Sequence, residues 1–138
     1  MKEIKILNKK YEILVNIKLD EPTKGGKNNY LVYKGKHIPN KSFKSWRDKI
    51  SFLMLTQCFH KNINDNNLLW LFLIYSKNKK RKDITSILDA LFHCLEYSNI
   101  IKDDAIIQKA IIKYKQKANK DYFRIIALKP VLGSGNTL

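Results

Sequence analysis

The stretch LLWLFLIY, residues 68–75, limits what this chain can become more than any other segment. Apolar residues follow one another there without a charge. Crossing a bilayer takes about 20 such residues, so the run is not a membrane span. Its length is a strand's, and a strand apolar on both faces belongs in the middle of a sheet.

The other segments read around that strand. YEILVNIKL (11–19) is rich in β-branched and aromatic residues and reads as a strand starting nearer Ile4. Residues 20–30 form a loop with Pro22 and the Gly25–Gly26 pair. A short extended piece, a glycine turn and Pro39 follow. A helix is expected from Ser42, its N-cap, because Phe43, Trp46, Ile50, Leu53 and Met54 recur at three- and four-residue steps. NINDNN (62–67) ends it. A second helix is written in Ile84, Ile87, Leu88, Leu91, Phe92 and Leu95, which share one face. Residues 97–105 connect onward. IIQKAIIKYKQ (106–116) is strand-rich, and YFRIIAL (122–128) is expected to be its hairpin partner. The order predicts one α/β (α+β) domain over residues 1–130. It would have a mixed sheet of four to five strands and two main helices, with 131–138 a flexible tail.

At 138 residues the chain can bury a real core as a single domain. Its charge is less ordinary: 27 Lys and Arg against 12 Asp and Glu leave +15. A field of that sign attracts polyanions, nucleic acid first and a membrane surface second. The plainer source is a lysine-rich genome, which the abundance of Ile and Asn also suggests. Cys58 and Cys94 make neither a zinc spacing nor a disulfide framework, so a reduced, cytoplasmic setting is expected, in a bacterium or on a phage or plasmid. The opening MKEIKILNKKYEIL carries charges throughout and does not read as a signal peptide.

The positive charge peaks at Lys77, Lys79, Lys80, Arg81 and Lys82, directly ahead of Asp83 and the second helix. Asp83 has two readings. As an N-cap it accepts the free N–H groups of the first turn. As a metal ligand it holds Mg²⁺ while the basic run holds a phosphodiester. A metal site needs a second carboxylate, and Asp103 and Asp104 supply one after the helix. Adjacent loop aspartates are otherwise a solvated turn. Trp46 and Trp70 read as core. Tyr30 and Tyr33 sit in a basic loop and are better placed to touch DNA. His93, on a helix flank, reads as structural, and His37 and His60 have no evident partner.

RKDITSILDALFHCLEYSNIIKDDAII resembles the core of the RusA-like Holliday junction resolvases: a basic run, an aspartate opening a helix, and an Asp-Asp pair ahead of a strand. Residues 21–50 resemble that family's Pro-rich loop, Asn-x-x-Tyr segment, Gly-basic turn and Ser-aromatic-Arg-Asp helix. Asn28 or Asn29, Tyr30, Gly35, Ser42, Trp46, Arg47 and Asp48 hold those places. KQKANKDYFRIIAL resembles its closing basic hairpin. The resemblance implies a homodimeric endonuclease that needs Mg²⁺, with Mn²⁺ as a substitute, and makes paired incisions in four-way DNA junctions during recombination and repair. It implies Asp83 and Asp104 as catalytic and metal-binding carboxylates, with Asp103 beside them. Lys79, Lys80, Arg81, Lys82, Tyr30, Lys34, Lys36 and Lys117 would hold DNA. Three positions depart from the family. Its second acidic residue falls at Thr85, the asparagine after it at Ser86, and its helix lysine at Asp89. Asp89 is therefore a candidate replacement ligand, set against a solvated helix aspartate. The same departures motivate the alternative, a structure-specific DNA-binding protein that has lost the metal. A basic partner-binding protein with no nucleic-acid role would explain neither the ordered likeness nor the aspartates.

Overall fold

The computed structural model describes residues 3–6, 8–25, 30–33, 36–78 and 83–131, with residues 30–33 and 36–39 as backbone alone. Among these residues, seven strands and two helices run in the order β1 (Glu3–Ile6), β2 (Lys9–Leu19), β3 (Tyr30–Tyr33), β4 (Lys36–Pro39), α1 (Lys41–Gln57), β5 (Leu69–Tyr75), α2 (Ile84–Tyr97), β6 (Lys109–Lys115) and β7 (Tyr122–Pro130). A single 3-10 turn, Asp104–Ile106, precedes β6. The main sheet is mixed and five-stranded, ordered β1-β2-β7-β5-β6, and β3 and β4 form a separate antiparallel hairpin. This is the α+β domain expected.

The apolar run sits inside the sheet. β5 is antiparallel to β7 on one side and parallel to β6 on the other. The strands β6 and β7 are therefore not the hairpin expected of 106–116 and 122–128, because β5 lies between them. A strand with no polar face is stable only with a neighbour on each edge. β6, lysine-rich and half polar, takes the edge, where lysines discourage further pairing. The strand expected from Ile4 to Leu19 is two strands, turned at Asn8, whose positive φ of 66° suits asparagine.

Both helices pack on one face of the sheet. Val15, Ile17 and Leu19 of β2, Trp70, Phe72 and Ile74 of β5, and Phe123, Ile125 and Ala127 of β7 form one core with Phe43, Trp46, Ile50 and Met54 of α1 and Ile87, Leu91, Cys94 and Leu95 of α2. Full burial of each large side chain here contributes about 1.5–3 kcal/mol before entropy is counted. Trp46 and Trp70 are core residues, as read from their spacing. α1 is capped two residues earlier than expected: Asn40 Oδ1, not Ser42, accepts the Phe43 amide at 2.8 Å. Ser42 instead meets Lys24 Nζ.

Among the described residues, no helix covers the opposite face. Leu69, Leu71, Leu73 and Tyr75 point there from β5, in register with Leu128, Ile126, Arg124 and Tyr122 of β7 and with Lys109, Ile111, Lys113 and Lys115 of β6. One end is apolar, where Tyr11, Ile126 and Leu128 gather Ile4, Ile6, Ile13, Leu69 and Leu71. The other end is basic and aromatic.

Candidate nucleic-acid interface

Asp83 caps α2. Its Oδ1 accepts the Thr85 amide at 3.0 Å, and its carbonyl starts the helical hydrogen bonds. The 20–25 loop is pressed against the same end. Trp46 Nε1 donates to the Pro22 carbonyl at 2.9 Å, and Lys49 pairs with Glu21 at 3.0 Å. Gly25 sits so close to α2 that a Cβ there would lie 2.6 Å from Ser86 Oγ. Any larger residue would push the Ser86 hydroxyl aside. The loop thus bridges the two helices, held to α1 at Trp46 and Lys49 and touching the first turns of α2 at Ser86.

Asp104 is elsewhere. Its amide donates to Glu96 Oε1 at 2.9 Å, in the last turn of α2, and Asp103 caps the 3-10 turn through the Ala105 amide at 2.8 Å. From Asp83 to Glu96 the helix climbs about 20 Å. The strands agree: Asp83 follows the end of β5, whereas Asp104 precedes Lys109, which pairs with Leu69 at β5's beginning. Within one chain the expected shared ion site of Asp83 and Asp104 does not form, because the helix between them is a rigid spacer. Asp89 does not repair it. It is exposed midway along α2, about 9 Å of rise and a third of a turn around from Asp83. Every Asp and Glu of the chain lies among the described residues, and no group of three His, Cys, Asp or Glu among those residues could hold a metal ion.

His93 lies among aromatic rings on the flank of α2. Its ring packs on Phe43 and Tyr97, at 5.9 and 6.0 Å between centroids. Burial holds its pKa below the ordinary value, and the Arg47 cation adds to that. Arg47 itself is buried between the helices, with its guanidinium 3.9 Å from the Tyr97 ring centre and 3.1 Å from Asp48. Both cysteines are unpaired and buried. Burial pushes the Cys94 thiol up to about 12.

The expected DNA contacts divide. Lys34, Lys79, Lys80, Arg81 and Lys82 lie outside the described residues, and Tyr30 and Lys36 are described only as backbone in β3 and β4. Lys117 is described, and it leads to groups that reading by segment missed. An open cavity of about 580 Å³ is lined by Tyr75, Lys113, Lys115, Lys117, Lys120 and Tyr122, with Ala118 and Asn119. Four lysines line it and no carboxylate does. Tyr75 and Tyr122, paired in register, stack at 5.7 Å and 19°. The 116–121 loop is stitched to the foot of the basic run: the Ala118 amide donates to the Ser76 carbonyl, Lys117 to Asn78, and Lys77 to Asp121 Oδ1. The run beginning at Lys77 therefore leaves from the rim of this cavity. A signal existed in the sequence, since Lys109, Lys113 and Lys115 alternate as one strand face. Nothing local said that two tyrosines would join them.

No family model matches the chain, and no relative is found among curated proteins. Among the described residues, no helix is long and apolar enough to cross a membrane.

Proposed function

We propose that this protein binds branched DNA, as a structure-specific DNA-binding protein of RusA-like build. The observation that carries this reading is the convergence of Lys113, Lys115, Lys117 and Lys120 with two stacked tyrosines at the end of the sheet from which the 77–82 run departs. Cations there attract backbone phosphate, and the +15 net charge draws the polyanion in from a distance. Aromatic rings set among lysines suit the splayed bases of a branch point. The test is binding to a synthetic four-way junction beside a linear duplex of the same sequence, with Mg²⁺, with Mn²⁺ and with EDTA. Salt-sensitive binding that favours the junction supports the reading. Equal or absent binding to both rejects it.

Paired, Mg²⁺-dependent incision by a homodimer is the second reading, and one observation favours it. Asp83 and Asp104 are both exposed at opposite ends of one helix. Two copies with α2 antiparallel about a two-fold axis would set each Asp83 beside the other copy's Asp104. Mixing decides this. Asp83→Asn and Asp104→Asn proteins, each unable to nick alone, would regain one intact site as a mixed dimer and nick one strand. Wild-type protein that cuts no junction with either metal ends the enzymatic reading.

A further inference from the structure

We infer that the cavity between β5, β6 and β7 holds one unpaired DNA nucleotide, its base extending the Tyr75–Tyr122 stack and its flanking phosphates held by Lys113, Lys115 and Lys117. The inference rests on the DNA-binding reading above and names the part of the branched substrate that the cavity takes. Its size comes first. About 580 Å³ falls within the roughly 300–1,000 Å³ of small-ligand sites. A duplex backbone needs the lysines but leaves the paired rings without a partner. A bare phosphate needs the lysines but has no use for the tyrosines. A nucleotide uses both.

The rings are fixed before any ligand arrives. Tyr75 and Tyr122 face each other across neighbouring strands, and Tyr75 is also in register with Lys115. The ladder sets their spacing, so little rotamer freedom is lost on stacking. Lys120 does a different job from the other three lysines. Its Nζ sits 5.4 Å from the Tyr122 ring centre and pairs with Asp20 at 2.9 Å, which ties the loop to the end of β2. Lys113, Lys115 and Lys117 are exposed, with no carboxylate among the cavity's lining. Lys117 also has a positive φ of 57°, uncommon for a residue with a side chain, and its amide is held on the Asn78 carbonyl at 3.1 Å. Such backbone persists where the surroundings over-determine it, at sites of function above all.

The base must be unpaired. Within a duplex each base face is covered by its neighbours, and only a splayed or single-stranded base can continue a stack of side-chain rings. Sequence preference is expected to be weak, because every base has a π-face.

The experiment uses the whole chain and four variants, Tyr122→Leu, Tyr122→Phe, Tyr122→Trp and Tyr75→Leu, each checked for wild-type circular dichroism and thermal melting. Binding of an oligo-dT single strand, a linear duplex, a four-way junction and free dTMP is measured. Both leucine variants are expected to bind oligo-dT about tenfold more weakly, with duplex binding changed far less, and Tyr122→Phe to match wild type. The added emission of Tyr122→Trp is expected to be quenched on binding oligo-dT. Folded leucine variants that bind oligo-dT like wild type, or a Tyr122→Trp emission that oligo-dT leaves unmoved, would overturn the inference. Ring-dependent binding of dTMP without oligo-dT binding would overturn it in favour of a free nucleotide. The wider reading fails separately: a protein that binds oligo-dT through Tyr122 but does not prefer the junction keeps the cavity and loses the branch specificity.

Discussion

Replacing Lys113, Lys115 and Lys117 with glutamine should flatten the salt dependence of DNA binding by a calculable amount. The three side chains are exposed on one wall of the cavity, and none takes part in an ion pair within the described residues. Lys120 is left in place because its charge is already engaged by Asp20. Each phosphate neutralised on duplex DNA contributes about 0.9 to the slope of log K against log salt, so losing three lowers the slope's magnitude by about 2.7. Raising salt fourfold, from 50 to 200 mM, changes log salt by about 0.6, so the wild-type protein should lose about 40-fold more affinity over that range than the triple variant. On a single strand the per-contact value is nearer 0.7, and the change in slope is about 2. Fluorescence anisotropy with a labelled four-way junction at five salt concentrations measures it. A Lys41→Gln, Lys44→Gln, Lys102→Gln protein loses the same three charges and controls for net charge, because these residues are exposed away from the open face. A triple variant that keeps the wild-type fold and slope, or a control that flattens as much as the triple, would refute the placement of DNA on this face.

Asp83→Ala should cost about 1 kcal/mol through loss of the cap on Thr85, a drop of roughly 2–6 °C in Tm, whereas Asp83→Asn should melt like wild type because asparagine caps equally well. Thermal melts of the pair separate a structural from a chemical role for this side chain. Gly25→Ala should cost about 1–2 kcal/mol and distinctly less in a Ser86→Ala background, since its Cβ meets Ser86 Oγ; a double-mutant cycle in urea reads the coupling. His93 is held neutral mainly by burial, so the unfolded chain binds a proton that the native state does not. Stability should therefore fall as pH drops below the ordinary 6.5, and urea midpoints of a His93→Phe protein between pH 7 and 5 should fall less. Cys94 runs the other way. Its thiol stays protonated in the fold to about 12, so stability should be lost as pH rises past 9.0, and native protein at pH 8 should resist iodoacetamide that labels it in urea.

By itself the sequence determined the elements that depend on neighbours a few residues apart. The apolar run at 68–75 had to be an interior strand, and the three- and four-step spacing from Ile84 had to be a helix with a buried face, while the aspartate ahead of it read as a cap or a ligand and is seen as a cap in the fold. These rest on chain period and capping, which are local. Pairing was decided only in three dimensions. Nothing in residues 106–128 said that β6 and β7 would be parted by β5, because a tight hairpin and a parallel crossover use the same strand-forming residues. The candidate site divides the same way. Lysine-rich segments were visible one by one, but Tyr75, Lys115 and Tyr122 became a single wall through strand register, which no segment contains. The two aspartates show the converse. Their order along the chain matched a shared metal site, and the length of an intervening rigid helix, about 1.5 Å per residue, set them at its opposite ends.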